Sequence, residues 1–219
     1  MTTTPAAPRW QRRAEARPEE VLQAALAAFA ERGYAATSLD EVARRAGITK
    51  GTLYLYFPNK AELFKAVVRN ALVSNLSDAR QRAASHSGSS WSLLAGLLRE
   101  FTHRIVLSPL SAIPKLVIAE AGNFPDIAGF YFNEVVMPAR QLLQGILQRG
   151  IAQGEFRPLD LDHIWRVVIA PLLLAILWQH SFKPYDPVPL DVERHLASHL
   201  DLLRHGLLLP QVSALQEAP

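Results

Sequence analysis

Residues 37–60 read TSLDEVARRAGITKGTLYLYFPNK, and this stretch decides the fold. The Ser38 side chain can cap a helix, and its spacing from Glu41 is that of a capping box, so a short helix should cover residues 39–46. Gly47 should end that helix, because glycine adopts the left-handed backbone that commonly terminates one. The chain can then turn sharply into the next element.

A second short helix should follow almost at once. Thr49 is the next residue able to cap, and Pro58 and Asn59 break the chain again, so this helix should occupy residues 50–56. Two helices joined by so short a turn fit a helix-turn-helix when a small residue lies where they meet, a glycine lies in the turn and an apolar residue faces the core. The residues of these three types are Ala43, Gly47 and Leu53.

Apolar residues recur at helical spacing along the whole chain, and strand alternation is nearly absent. We therefore predict an all-α protein, with an N-terminal three-helix domain that carries the helix-turn-helix and a larger C-terminal helical domain. The predicted division is a disordered basic arm at 1–16, the first domain at 17–76, the second at 77–207 and a C-terminal tail at 208–219. Further helices are expected over 18–33, 61–83, 91–107, 110–121, 125–153, 161–181 and 191–207.

The composition excludes several kinds of site. The chain has 219 residues and no cysteine, which rules out a disulfide framework, a thiolate nucleophile, a thiolate zinc site and a cysteine-ligated iron–sulfur cluster.

The N-terminus lacks the apolar stretch of a secretory signal. The longest apolar run, residues 167–178, is shorter than the roughly 20 residues that span a bilayer, so we predict a buried helix there. We expect a cytoplasmic protein with no membrane partner.

Basic residues are concentrated in the first third of the chain. Residues 1–75 hold 11 Lys and Arg against 7 Asp and Glu, whereas residues 76–219 hold 12 against 13. A polyanion-binding module requires such a concentration, because each phosphate that it neutralises releases condensed counterions. The basic arm has two alternative roles, insertion into a minor groove or nonspecific attraction alone. Its arginines are Arg9, Arg12, Arg13 and Arg17.

The second helix of the pair presents groups suited to DNA: Thr49, Lys50, Thr52 and Tyr54, with Gly51 permitting close backbone approach. Residues 18–65 contain a longer series of spaced residues: Ala24-Ala25, Phe29, Gly33-Tyr34, Thr37-Ser38-Leu39, Val42-Ala43, Ala46-Gly47-Ile48, Thr49 through Tyr54 and Tyr56-Phe57-Pro58-Asn59-Lys60. Together they resemble the DNA-binding domain of TetR-family repressors. Because many positions match at once, the resemblance is specific.

The resemblance implies a role for each matching position. Residues matching Thr37 and Ser38 contact phosphate in such proteins, those matching Thr49, Lys50, Gly51 and Thr52 enter the major groove, and those matching Tyr54 and Lys60 clamp the DNA backbone. Tyr56 departs from the family pattern, in which histidine is frequent, but its phenol can still donate to a phosphate oxygen. Arg44 and Arg45, on the first helix of the pair, either reach phosphate or only keep that face soluble.

The C-terminal part resembles, more loosely, the effector-binding and dimerisation region of one large subgroup of TetR-like proteins. The resemblance rests on residues 117–121, Phe124-Pro125, Phe130-Tyr131, Pro138 and residues 154–157. We expect a pocket for a largely apolar small molecule between the inner helices. Its candidate apolar lining, which could equally be ordinary core, is Trp91, Phe101, Ile105, Leu116, Phe130, Met137 and Trp165. The candidate polar residues that would orient the ligand are His103, Glu120 and Asn133.

The last two long helices are the predicted dimer surface. The helix over 161–181 is apolar nearly all round and must be covered on both sides, which a two-fold partner would do by forming a four-helix interface. The candidate interface residues are Val167, Pro171, Leu174, Trp178, His195, Leu196, His199 and Leu203. His195 and His199 are four residues apart, a spacing that can hold a metal, but no third ligand is marked, so we predict neither a metal nor a cofactor.

These features together predict a ligand-responsive, DNA-binding transcriptional regulator. It would bind a palindromic operator as a homodimer, repress transcription, and leave the DNA when a small molecule binds. No phosphate-binding glycine loop, nucleophile elbow or paired carboxylates are found, so we predict that the chain is not an enzyme. A constitutive DNA-organising protein and a helical enzyme remain alternatives, and activation in place of repression stays open.

Overall fold

The computed structural model describes residues 18–210, which are helical nearly throughout. The one strand-like contact in this range is an isolated antiparallel bridge between Phe156 and Leu208. The prediction of an all-α protein is confirmed. The α-helices are α1 (Pro18–Ala36), α2 (Leu39–Ala46), α3 (Lys50–Tyr56), α4 (Lys60–Val68), α5 (Ser74–Ser85), α6 (Ser90–Phe101), α7 (Ala112–Glu120), α8 (Pro125–Tyr131), α9 (Met137–Ala152), α10 (Leu161–Leu177) and α11 (Val192–Leu207).

Several helices that the sequence predicts as single elements contain a π-helical turn. These turns follow α4, α6, α8 and α10 without a break in the helical backbone, and a short 3₁₀ helix, Pro109–Ser111, precedes α7. A π turn adds a residue to one helical turn while the helix continues, and no capping residue or chain break marks it, so the sequence does not reveal it. The π turns are Arg69–Val73, Thr102–Val106, Phe132–Val136 and Trp178–Phe182.

The two helices of the helix-turn-helix begin and end where the sequence predicts. The Ser38 hydroxyl accepts a hydrogen bond from the Glu41 N–H (3.2 Å), and Gly47 adopts a left-handed φ of 68°. The Thr49 hydroxyl accepts from the Thr52 N–H at 3.1 Å and so caps α3. These contacts are local, which is why the sequence alone predicts both helices.

The unit formed by residues up to Val67 has an aromatic core. Phe29 packs against Tyr34 and Phe64 with ring centroids 5.7 and 5.2 Å apart. Gly33 breaks α1 with a φ of 81° before the chain continues to Ala36, and Tyr34 is buried beside it. Leu53 of α3 is fully buried. This buried leucine anchors α3 to its unit and fixes which side of the helix faces outward.

The second unit begins at Val68, within the run of helix that connects α4 to α5. The boundary predicted from the sequence lies after residue 76, because no glycine, proline or loss of apolar spacing marks the earlier point. The core of this unit is mainly aliphatic, with Phe156 as an aromatic member. Its largest fully buried side chains include Leu94, Leu98, Ile113, Leu147, Phe156, Leu172, Ile176 and Leu207.

The helix formed by α10 and its π turn, Leu161–Phe182, is long and apolar enough to cross a membrane by length and composition. Only 28% of its most apolar window is buried. Val168, Leu172 and Ile176 face the core of the unit, whereas Val167 and Leu174 are 58% and 51% exposed. The prediction of a buried helix is therefore only partly correct for a single chain. One face of α10 is buried in the core, and the opposite face is apolar but exposed.

Candidate nucleic-acid interface and ligand cavity

The outward face of α3 is the centre of the candidate interface. Opposite the buried Leu53 lie Gly51 and Leu55, four residues apart and therefore on one face. Leu55 is 85% exposed, and Tyr54 and Tyr56 are about half exposed. Leu55 is not among the predicted DNA-binding residues, although its position four residues after Gly51, on the same face of a short helix, is a signal that could have identified it.

The polar residues at the start of α3 are held in place by short contacts. The hydroxyls of Thr49 and Thr52 are 2.8 Å apart, and Lys50 Nζ lies 2.8 Å from a carboxylate oxygen of Asp40 on α2. The hydrogen bond and charge of Asp40 raise the pKa of Lys50. Both partners of this ion pair are more than half exposed, so the pair is weak and Lys50 can exchange Asp40 for a phosphate.

The structure places the neighbouring residues Thr37 and Ser38 differently. Ser38 is exposed at the start of α2, but Thr37 is only 2% exposed. The Thr37 hydroxyl donates to the carbonyls of Ala28 (3.1 Å) and Gly33 (2.7 Å). This departs from the phosphate contact expected for Thr37, because its side chain points into the unit and fastens the end of α1.

The two arginines of α2 also differ. Arg45 donates to both carboxylate oxygens of Glu31, at 2.9 and 2.6 Å, and to the buried Glu41 at 2.8 Å. These contacts lower the pKa of Glu31 and raise that of Arg45. Arg45 therefore ties α1 to α2, a role that the sequence analysis does not anticipate. Arg44 is exposed and forms no ion pair within residues 18–210, so it can reach a phosphate.

Lys60 lies at the start of α4 and contacts the end of α1. Its Nζ donates to the carbonyls of Tyr34 (2.8 Å) and Ala35 (2.9 Å) and lies 4.8 Å from the centroid of the Tyr34 ring. A cation at the carbonyl end of a helix is stabilising, because those carbonyls carry partial negative charge. The structure thus gives Lys60 a role in holding α1 against α4, which differs from the expected clamp on the DNA backbone.

The second unit contains a cavity of about 440 Å³ among α5 to α10 and their π turns. Of the ten predicted pocket residues, Phe101, Ile105 and Trp165 line it. Apolar spacing identifies the inner face of each helix but not the part of that face that borders empty space. The seven residues absent from the lining are Trp91, His103, Leu116, Glu120, Phe130, Asn133 and Met137.

The predicted polar residues His103 and Glu120 have partners outside the cavity. His103 Nδ1 lies 3.5 Å from a carboxylate oxygen of Glu193, and a Glu120 oxygen accepts from the Asn123 side chain at 3.0 Å. The polar and charged residues that do line the cavity were missed by the sequence analysis, because they come from separate helices. They are Asn75, Arg82, Glu100, Arg104 and Tyr131.

The predicted dimer residues divide into an exposed, a half-buried and a buried group. Val167 and Leu174 are exposed on α10, and the sequence analysis missed the neighbouring open side chain of Leu202, which is 72% exposed on α11. Pro171 and Trp178 are half-buried; the Pro171 carbonyl lies 3.0 Å from His195 Nε2, and Trp178 donates to Asp186 at 2.6 Å.

The buried group lies on one face of α11, at helical spacing. Leu196, His199 and Leu203 face the core of their own chain, so they are not available to a partner as expected. His199 has neither ring nitrogen hydrogen-bonded in the described range, and burial lowers its pKa. No group of three or more potential metal ligands is found among residues 18–210.

Two sequence profiles match the chain. The one described as bacterial regulatory proteins, tetR family, matches residues 21–67, and the one described as the tetracyclin repressor-like C-terminal domain matches residues 84–209. The HTH-type transcriptional repressor KstR2 of Mycolicibacterium smegmatis is 30% identical over 197 residues, which is 89% of this chain and 92% of that protein.

Two solved structures have the same fold. The transcriptional regulator FadR from Bacillus subtilis in complex with stearoyl-CoA has a TM-score of 0.73 at 22% identity, covering 87% of this chain and 99% of that one. The ketosteroid transcriptional regulator KstR2 of Mycobacterium tuberculosis has a TM-score of 0.65 at 25% identity, covering 88% and 95%. Such relatives are regulators of transcription, which confirms the prediction that the chain is not an enzyme. With both profiles matched and a 30% identical repressor aligned over most of its length, the chain belongs to the TetR family of transcriptional regulators.

Proposed function

We propose that this protein is a homodimeric repressor that binds palindromic operator DNA through α3 and leaves it when a small, largely apolar molecule occupies the cavity of the second unit. The observation that carries the proposal is the outward face of α3, where polar, aromatic and apolar side chains are exposed on a helix that the buried Leu53 anchors. A short helix with such a face fits the width of a major groove.

The exposed residues divide into two roles. Lys50, Tyr54 and Tyr56, together with Ser38 and Arg44, supply charge and hydroxyl groups for phosphate, which positions the protein but does not select a sequence. Gly51, Thr52 and Leu55 face base edges, where a leucine side chain favours the methyl group of thymine. Leu55 is therefore proposed as a determinant of sequence preference.

The open apolar face of α10 supports a dimer. Val167 and Leu174 of α10 and Leu202 of α11 are exposed leucine and valine side chains on two neighbouring helices, and a second copy would cover them. Dimers are typical of TetR-family regulators. A dimer that covers this face also explains why α10 is so apolar although the proposed protein is cytoplasmic, binds DNA and has no contact with a membrane.

The cavity supports control by a ligand. Its volume of about 440 Å³ and its largely apolar wall are those of a small-molecule site. The FadR structure of the same fold holds stearoyl-CoA, and a second relative is a ketosteroid regulator. Ligand and DNA would favour different spacings of the two α3 helices in the dimer, so that each weakens the binding of the other by about 5- to 150-fold.

The test is selection of bound duplexes from a random DNA pool with the full chain. We expect a palindrome whose half-sites lie about 34 Å or a multiple apart. Lys50→Gln should weaken binding to every sequence and reduce the salt dependence by about one counterion, whereas Leu55→Ala should relax preference at one base pair of each half-site. Recovery of no common sequence would favour a DNA-organising protein, and no binding at all would refute the proposal.

A further inference from the structure

We infer that the molecule bound in the cavity is an amphiphile, with an apolar body and one anionic group that binds the guanidinium groups of Arg82 and Arg104. The inference rests on the proposed function and deepens it, because it names the chemical class of the effector. It is argued from the charged side chains of the cavity wall.

The wall sets the nature of the body of the ligand. Aliphatic and aromatic side chains from α5 to α10 and the π turns make up most of it, with Leu76, Phe101 and Trp165 among them. Apart from Tyr131, these side chains offer no hydrogen bonds, so each polar group placed against them loses its hydration without compensation. The part of the ligand that fills most of the cavity must therefore be hydrocarbon.

The charged side chains of the cavity wall determine which polar group, or head, the ligand carries. Arg82, Glu100 and Arg104 are the only charged residues that line the cavity within residues 18–210. Glu100 contacts Arg82 Nη2 at 2.5 Å and Arg104 Nε at 2.8 Å, while Arg104 Nη1 donates to Asn75 at 3.2 Å. Two cations share one carboxylate, so the cluster carries one net positive charge beside a hydrocarbon wall.

The exposure of these groups shows that they can exchange partners. The side chains of Arg82 and Arg104 are 43% and 51% exposed, against 24% for Glu100. Each guanidinium carries five N–H donors, and Glu100 and Asn75 occupy only some of them. An incoming carboxylate or phosphate oxygen can therefore bind both arginines from the open side without displacing Glu100.

Tyr131 adds one polar group within the apolar part of the wall. It lines the cavity, and its hydroxyl has no hydrogen-bond partner among the described residues. Burial raises the pKa of this phenol, so it stays neutral and can both donate and accept one hydrogen bond. A hydroxyl in this position suits a carbonyl or hydroxyl group on an otherwise hydrocarbon body.

Calorimetry with the full chain tests the inference with matched probes. The first pair is dodecanoate and methyl dodecanoate, the second is lithocholate and its methyl ester, and dodecanoyl-CoA supplies phosphate in place of carboxylate. We expect one of the anionic probes to bind at least about tenfold more tightly than the neutral ester of the same body, the scale of one charged hydrogen bond. Preference for dodecanoyl-CoA over both free acids would identify a phosphate head, and preference for a free acid would identify a carboxylate.

Variants of the cluster separate ligand binding from a purely structural ion pair. Arg82→Gln and Arg104→Gln should each remove most of the preference for the anion and leave the affinity for the neutral ester unchanged. The control is Arg80→Gln. Arg80 lies on α5 with Arg82 and donates a hydrogen bond to Gln141, but it does not line the cavity. Glu100→Gln should increase the preference, because it removes the negative charge that offsets the two arginines; a structural pair alone would give no increase. Melting temperatures without ligand check that each variant is folded.

The outcomes distinguish the two proposals. Equal affinity for acid and ester would refute the anionic head, and so would a preference for the anion that is unchanged in both arginine variants. Neither result would contradict the proposal that the cavity binds an effector. Absence of binding by all five probes would overturn the head and would count against the effector cavity itself.

Discussion

Replacing Glu155 tests how the start of α6 is fixed. The Glu155 side chain is 8% exposed and accepts hydrogen bonds from the Ser90 N–H (2.6 Å) and the Trp91 N–H (3.0 Å), the first two amides of the helix. These amides have no partner inside the helix, and a carboxylate also interacts favourably with the helix dipole. Glu155 therefore caps α6 from 64 and 65 residues away.

The size of the effect follows from these contacts. Glu155→Ala leaves two partly or fully buried amides without acceptors, and each hydrogen bond to a charged group contributes about 1.5–3 kcal/mol, so we expect a loss of about 3–6 kcal/mol in the free energy of unfolding. Glu155→Gln keeps one acceptor oxygen and should lose about half as much. Ser89→Ala, which removes an exposed cap from the same helix, should cost about 1 kcal/mol.

The assay is urea denaturation followed by circular dichroism, at one protein concentration because the stability of the proposed dimer would depend on concentration. The expected order of stability is wild type, then Ser89→Ala, then Glu155→Ala. If Glu155→Ala were no less stable than Ser89→Ala, the buried carboxylate would not be the main cap of α6 and the reasoning would be refuted.

Three further predictions concern packing, pH and the α1 to α2 contact. Gly150→Ala should destabilise the protein by about 1–3 kcal/mol in urea melts, since a Cβ there would overlap the Phe156 ring, whereas Gly145→Ala on the same helix meets open space and should be neutral or stabilising. The pKa of His199 is lowered in the folded state, so the unfolded chain binds a proton at this histidine at a higher pH than the folded chain does. The free energy of unfolding should therefore be unaffected by His199 above pH 6.5 and should decrease as the pH falls below 6.5. His199→Leu should weaken that fall, and an unchanged pH profile would contradict the assignment. Arg45→Gln should lower the melting temperature, whereas Arg44→Gln should lower DNA affinity only; equal effects of the two on melting would show that the Glu31 and Glu41 contacts do not stabilise the unit.

Much of the DNA-binding unit could be predicted because its signals are local. Ser38, Gly47 and Thr49 set the ends of α2 and α3 through contacts within a few residues, and the structure has both helices as predicted. The outward position of Gly51 follows from the buried Leu53, because residues two positions apart lie on nearly opposite sides of a helix. The roles of Thr37, Arg45 and Lys60 could not be predicted in the same way, since they depend on carbonyls and carboxylates of other helices.

The sequence by itself determined the helical class, the limits of α2 and α3 and the family, because caps, turn glycines and apolar spacing act over a few residues. Only the tertiary structure decided which face of α11 is buried, which residues border the cavity, and that Arg82 meets Glu100 there. The physical reason is that a helical period shows which residues share a face, but what that face meets is set by packing between helices far apart in the chain.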